Sequence, residues 1–229
     1  MFLKKINYPE IMDDFSIQDE RIDIALNELK LINKFLGGIS TTKFGLNFLL
    51  KKNQNLSTLK ILDVGSGASD VLISLIDNNQ KIISLDLNKR VCNYLKNNLN
   101  VSEIVCTDVK SLPFKQKEFD FIHASLFLHH FNEKEITEIL SNLLTLTRFG
   151  IIINDLRRST LAFWGIKVLT FLFSKSIMVK NDAPLSVRKG FTKSELKIIL
   201  NCLKCQYIIR RKWAFRWSIV LMPDDLNNG

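Results

Sequence analysis

The sequence predicts an α/β protein built on a mostly parallel sheet, and three features carry that expectation. From Leu59 onward, short apolar runs recur at 59–64, 81–86, 102–106, 119–124 and 149–154. Amphipathic stretches of helical period lie between them at about 69–77, 88–98 and 132–146. Strands alternating with helices of this length form right-handed βαβ units, so helices cover both faces of a parallel sheet. At the chain's end, runs 205–212 and 214–222 leave no room for a crossover helix and must pair as an antiparallel hairpin.

The remaining elements follow in chain order. Residues 17–36 set Ile17, Ile22, Leu26, Leu29, Ile32, Phe35 and Leu36 on one helical stripe, with Ser16 as the expected cap and Gly37-Gly38 as the stop. A second short helix is expected over about 42–52. After Asp155 the alternation stops for nearly forty residues, too long for a plain loop. The spacing of Leu161, Trp164, Val168, Leu169 and Leu172 predicts an inserted helix or helix pair there. Alternation resumes with a helix over about 192–201, where Thr192 and Glu195 form a capping box.

At 229 residues, 46% hydrophobic and 24% charged, the composition is that of one medium globular domain with an appendage, which excludes disorder, collagen and coiled coil. The net charge of +9 is uneven: residues 1–147 carry 17 basic and 18 acidic side chains, whereas 148–216 carry 15 basic and 3 acidic. The C-terminal third therefore faces something anionic or serves solubility. Cys92, Cys106, Cys202 and Cys205 show no paired metal-ligand spacing and read as core thiols of a reducing compartment, with no metal site expected. The N-terminus lacks the apolar region of a signal peptide, so a cytoplasmic protein is expected. Thr160 to Val179 is near spanning length, but Lys167 and Lys175 interrupt it. A charge at mid-bilayer costs at least ~2.5 kcal/mol, which argues against a transmembrane helix and leaves a peripheral one open.

Leu62-Asp63-Val64-Gly65-Ser66-Gly67-Ala68-Ser69-Asp70 follows a strand and precedes a helix. Glycines there let a ligand approach the backbone, and the helix start offers free N–H groups. A tight strand-to-helix turn would need the same residues, so the next strands decide. The second ends in Asp86, nineteen residues beyond Gly67, where a carboxylate can accept hydrogen bonds from ribose hydroxyls. The third leads to Asp108. Three acids, Asp63, Asp86 and Asp108, at successive strand ends repel a dinucleotide pyrophosphate and attract a cationic nucleoside. S-adenosylmethionine, with a sulfonium, an ammonium and a ribose but no phosphate, fits that sign.

These residues resemble the class I S-adenosylmethionine-dependent methyltransferases, in particular the small-molecule branch of ubiquinone/menaquinone-biosynthesis type (methyltransferase type 11/25). The resemblance covers about residues 58–157 by motif and extends through the hairpin by element order. It implies a Rossmann-like, seven-stranded, mostly parallel sheet ending in an antiparallel hairpin, with N-terminal helices and a helical insertion after the fifth strand. The expected parts are a helical cap over 1–55, a cofactor-binding core over 56–155, a helical lid over 156–190, and the last helix and hairpin over 191–222. By resemblance, Asp63, Gly65, Ser66, Gly67 and Ser69 wrap the methionine part of S-adenosylmethionine, and Asp86 with Leu87 holds the ribose. Asp108 with Val109, in the segment DVKSLPF, meets the adenine. Ser125, in FDFIHASLFLHHF, sits under the cofactor. The chain departs from the pattern at Ser69, where a third glycine often lies, and at Arg148-Phe149-Gly150, which replaces a Pro-Gly-Gly turn.

His129 and His130 follow the fourth strand and are candidate general bases, with packing as the plainer reading. Asp155 is a candidate to bind or deprotonate an acceptor hydroxyl, or a helix N-cap. Arg157 and Arg188, with Arg158, could orient an anionic acceptor, and Trp164, Trp213 and Trp217 with Phe163, Phe171 and Phe173 could wall an apolar one. The expected reaction is O- or C-methylation of a small, lipophilic phenolic, quinone-like or polyketide-like acceptor. The competing readings are an RNA methyltransferase, a non-catalytic S-adenosylmethionine-binding protein and a nicotinamide-dependent oxidoreductase. Nucleic acid is disfavoured because no N/D-P-P-Y/F signature follows the fourth strand. The acidic start Pro9 to Asp14 is expected to fold over the crevice together with the 156–190 insertion. The basic, aromatic insertion is expected to meet an anionic membrane surface weakly.

Overall fold

The computed structural model describes residues 3–53, 58–77, 80–98 and 103–224. Seven strands form one sheet: β1 (Lys60–Val64), β2 (Lys81–Asp86), β3 (Glu103–Cys106), β4 (Phe119–Ser125), β5 (Thr147–Leu156), β6 (Cys205–Lys212) and β7 (Arg216–Pro223). Their order is β3-β2-β1-β4-β5-β7-β6. The first five pair in parallel, and β7 runs antiparallel between β5 and β6. Connections leave β1 toward β2 on one side and reach β4 on the other, so the carboxyl ends of β1 and β4 open a crevice at the point where strand order reverses.

Eight α-helices accompany the sheet in the described residues: α1 (Glu20–Phe35), α2 (Gly38–Lys52), α3 (Asp70–Ile73), α4 (Lys89–Asn98), α5 (Glu133–Leu146), α6 (Thr160–Phe173), α7 (Ile177–Lys189) and α8 (Lys193–Asn201). Because successive strand residues point to opposite faces, Ile61 packs beneath α2 with Leu46 and Leu49, while Leu62 packs on the other face with Leu140 and Leu143 of α5 and Ile199 of α8. A third cluster joins Ile22 and Leu26 of α1 to Leu95 of α4 and to Met178 and Val179 of α7. The two helices of the 156–190 insertion pack on each other, and α7 also reaches α1. Basic Arg210 and Arg211 lie exposed on β6, an edge strand, where charge discourages pairing with another chain.

Several expected boundaries move. Asp19, not Ser16, caps α1, its carboxylate accepting from Arg21 N at 3.0 Å; Ser16 instead donates to Asp14 in a preceding turn. Gly37 stops α1 in the left-handed region, but Gly38 already begins α2, where a side chain would meet Asn33 O at 2.8 Å. The helix after the glycine-rich turn is a single turn, Asp70–Ile73. Strand β5 runs on to Leu156, so Asp155 is a strand residue and not a helix cap. Of the four thiols only Cys92 is buried; Cys106 ends edge strand β3 and Cys202 caps α8, both exposed, and Cys205 is half-buried. Trp217 is buried in the core, donating to Phe191 O at 2.9 Å, whereas Trp213 sits exposed in the hairpin turn.

Candidate active site

The turn after β1 is held by packing on one side and left open on the other. Gly65, Gly67 and Ser69 all take positive φ. A side chain on Gly65 would come within 2.1 Å of the Phe127 ring, so glycine is required there by contact. On Gly67 it would meet no protein atom nearer than 3.8 Å. Glycine there keeps a cradle clear. Ser69 adopts a left-handed conformation that costs a non-glycine residue ~1–2 kcal/mol, offset by its hydroxyl donating to Asp63 and lying 3.1 Å from Ser84 Oγ.

Asp63 faces inward more than outward. It is 2% exposed, and besides Ser69 it meets His123 Nδ1 at 2.7 Å. His123 Nε2 continues to Thr42 Oγ1 at 3.0 Å, and Asn154 Nδ2 donates to the same hydroxyl at 3.1 Å. Arg216, fully buried, then donates to Asn154 Oδ1 at 3.1 Å, to Asn33 Oδ1 at 2.9 Å and to Leu36 O at 2.8 Å. Burial pulls its guanidinium down to about 10 against the opposing charges of Asp155 and Asp70. This buried network ties α1, α2, β4, β5 and β7 to the floor of the turn. Asp63 therefore positions the turn, and the cationic attraction expected of three strand-end acids falls to Asp86 and Asp108.

Asp86 accepts from Gly67 N at 3.1 Å and from Asn88 N at 2.9 Å, which clamps the glycine turn to β2. Burial pushes its carboxyl up, outweighing those amides. Asp108 is half-buried and accepts from Lys110 N at 2.9 Å. Ser66 Oγ and Ser125 Oγ are buried with no hydrogen-bond partner among the described residues. Two orphaned hydroxyls beside an open glycine cradle and a carboxylate await polar partners, since such groups are costly to bury alone. That set fits S-adenosylmethionine.

These residues line one cavity of about 750 Å³. Asp63, Gly65, Ser66, Gly67, Ser69, Asp86, Leu87, Asp108, Val109 and Ser125 all reach it, as do His129 and His130. Its roof is the segment around Glu10–Asp13 together with α7: Ile11 N and Met12 N donate to Asp182 at 2.9 and 3.0 Å. Lys189 Nζ lies 3.1 Å from Glu10 and 3.2 Å from Asp13. Its aromatic lining is Tyr8, Phe15, Phe127 and Phe131. Arg157, Trp164 and Arg188 do not line it, nor do Trp213, Trp217, Phe163, Phe171 or Phe173. The Arg157 guanidinium stacks over Phe215, Trp164 is exposed on α6, and Arg158 pairs with Glu195 at 2.5 Å.

His129 and His130 sit under the roof with rings stacked at 4.4 Å. His129 Nδ1 lies 2.7 Å from Asp155 Oδ1, and His130 Nδ1 lies 2.8 Å from Asp13 Oδ1. Asp155 does not reach the cavity; it also accepts from Leu128 N at 3.0 Å and Leu156 N at 2.7 Å, and so positions His129. Burial opposes its charge, yet the His129 ring and the Leu156 amide hold it below the usual carboxylate range. Burial also lowers His130, but the Asp13 hydrogen bond and the charges of Glu10 and Asp13 raise it above its ordinary value. Glu10, His129 and His130 bring possible ligand atoms within 4.8 Å of one another, but a cation there would have to displace the Lys189 ammonium.

Sequence reading missed His123, Arg216 and Lys189. A histidine interrupting the apolar run FDFIHA and an arginine opening the otherwise apolar run RWSIVLM were the available signals for the first two.

The family model described as a methyltransferase domain matches residues 61–150. The ribosomal RNA small subunit methyltransferase A of Mycoplasmopsis synoviae is 23% identical over 177 residues, 73% of this chain and 61% of that protein. The chain spans 51–61% of the length of the curated relatives it matches. Among solved structures, the plantazolicin methyltransferase BpumL in complex with a pentazolic desmethylPZN analog and SAH superposes with TM-score 0.69 at 18% identity, covering 91% of this chain and 93% of that one. Magnesium protoporphyrin IX methyltransferase from Synechocystis PCC 6803 with bound SAM superposes with TM-score 0.55 at 13% identity, covering 82% and 81%. The sheet and its helices are thus the Rossmann-like fold of class I S-adenosylmethionine-dependent methyltransferases.

Proposed function

We propose that this chain, which carries a methyltransferase domain over residues 61–150, transfers a methyl group from S-adenosylmethionine to an oxygen or carbon of a small, lipophilic, phenolic or enolic acceptor. The observation that carries this reading is the roofed cavity, in which the glycine cradle, Asp86 and the two orphaned serine hydroxyls share one space with His129 and His130. Neighbours of the same fold whose names state small acceptors, a plantazolicin analog and magnesium protoporphyrin IX, add support.

When bound, S-adenosylmethionine would supply a methyl group from its sulfonium, with the neutral thioether as the leaving group. The chain's own residues align and deprotonate the acceptor. Ser66, Ser125, Asp86 and Asp108 would hold the donor, with Asp86 facing the ribose. The Asp155 carboxylate only accepts, so it fixes Nδ1 of His129 as a donor and leaves Nε2, 3.8 Å from Glu10 Oε1, as the ring nitrogen that meets the acceptor. That nitrogen takes the proton of the acceptor hydroxyl as the oxygen attacks, a contribution of ~10²–10⁴ in rate. His130, Lys189, Asp13 and Glu10 close the roof and exclude water, so that alignment adds to the acceleration.

The name of the curated ribosomal RNA relative favours a second reading, an RNA acceptor. Transfer of labelled methyl from S-adenosylmethionine to lipophilic phenols, to 1,3-diketones and to ribosomal RNA separates the two. Label entering a phenol or diketone, and falling at least a hundredfold in His129→Asn, supports the proposal. Label entering RNA alone establishes the second reading. Binding of S-adenosylmethionine without transfer to any class would leave a binding protein.

A further inference from the structure

We infer that the outer face of α6, together with the start of α7, is a docking surface for an anionic lipid bilayer. The inner stripe of α6, Ala162, Ile166 and Thr170, is buried. An ordinary surface helix would carry polar residues opposite such a stripe. Here Trp164, Val168, Phe171, Leu172, Phe173 and Ile177 are each more than half exposed. Core packing already uses the other face, so it does not explain this one, and a patch of this kind marks an interaction surface.

Charge complementarity identifies the occupant. Exposed Lys167, Lys175 and Lys180 rim the patch, and residues 156–181 contain five basic and no acidic side chains. Glu28 of α1 approaches this end, but it is occupied by the Ser174 hydroxyl and the Lys175 and Ser176 amides. Lys167 lies over the Trp164 ring at 5.1 Å, an apolar stem with its charge at the rim. A shallow cleft of about 300 Å³ between Trp164, Phe171 and Lys180 gives room for apolar chain. A second copy of this chain fits poorly: a twofold contact would set the lysine rim, with Glu28 already engaged, against itself. Among the described residues no helix is long and apolar enough to cross a membrane, so the helix would lie in the interface.

The same helix pair reaches the cavity, since Val179, Ala183 and Lys189 of α7 line its roof. A lipophilic acceptor dissolved in the bilayer would meet the roof at this helix pair; that clause alone rests on the proposed activity.

The test is co-sedimentation of the full chain with vesicles of phosphatidylcholine alone and of phosphatidylcholine mixed with phosphatidylglycerol, at 0.1 M and 1 M salt. We expect binding to the anionic vesicles at least tenfold tighter than to the neutral ones, weakening at high salt as the Debye length falls from ~10 to ~3 Å. Lys167→Gln combined with Lys175→Gln lowers it by roughly fivefold per lysine. Phe171→Glu and Leu172→Ser, both at exposed positions, weaken it with unchanged melting temperature. No binding to either vesicle, equal binding to both, or binding indifferent to both apolar variants overturns the proposal. So does a dimer in gel filtration that Phe171→Glu dissociates, which would make a second copy the occupant. Titration of the same samples with S-adenosylmethionine reads the methyltransferase assignment separately: retained cofactor binding without vesicle binding overturns the docking surface alone.

Discussion

Asp13 Oδ1 lies 2.8 Å from His130 Nδ1, a contact that ties the N-terminal roof to the turn after β4. It makes roof closure depend on pH. His130 has a raised value, so its contribution is complete below the ordinary 6.5 and is lost as pH rises through the raised value. Asp13 is held well below its ordinary 3.8, its burial outweighed by His130, so its contribution is complete above 3.8 and is lost as pH falls through the lowered value. Protection of the amides of residues 8–14, taken relative to each amide's intrinsic exchange rate at the same pH, should therefore be greatest between about pH 4 and 6.5 and fall above that window. Asp13→Asn should flatten the dependence on the alkaline side; an unchanged profile would detach the roof from His130.

The two glycines of the β1 turn should fail differently. Gly65→Ala drives a methyl into the Phe127 ring and adds left-handed strain, so it should unfold at lower temperature, by a few kcal/mol. Gly67→Ala should cost only ~1 kcal/mol in stability, yet weaken S-adenosylmethionine binding at least tenfold, because its methyl enters the cradle. Thermal melts with calorimetric titration distinguish them. Full affinity in a folded Gly67→Ala protein would mean that the cradle does not meet the ligand.

Arg216→Met should lose about 3 kcal/mol in urea unfolding, because Asn33, Asn154 and Leu36 are left with unsatisfied buried oxygens. A loss below ~1 kcal/mol would show that the network behind the turn is not what holds it.

Much of the sheet was legible from the chain, because parallel strands covered on both faces read as apolar runs: FDFIHAS is all β4, and KIISLD is all β2. Helix limits shifted where local side chains decided them, as with Asp19 outcompeting Ser16 at the cap of α1. The glycine cradle and Asp86 were legible because a turn between a strand and a helix fixes its own geometry. The roof was legible only in outline: the acidic start from Pro9 to Asp14 was expected over the crevice, but Tyr8, Phe15 and Lys189 reach the cavity through long-range docking, and α6 turns Trp164 and Phe171 away from it, which no local pattern encodes.

On the proposed function, the crevice between β1, β2 and β4 holds S-adenosylmethionine through Asp86. Isothermal titration of the wild type, Asp86→Asn and Asp86→Ala with S-adenosylmethionine and with NAD(H) tests it most directly. Asn keeps an acceptor for the Gly67 or Asn88 amide, so it separates ligand contact from support of the turn. Lost hydrogen bonds to a charged group are worth ~1.5–3 kcal/mol, so both variants should bind roughly 10- to 150-fold more weakly. Because burial raises the Asp86 carboxyl, wild-type affinity should fall as pH drops through a value above the ordinary 3.8, and the fall should vanish in Asp86→Asn. Unchanged affinity in folded variants, or tighter binding of NAD(H), would contradict it.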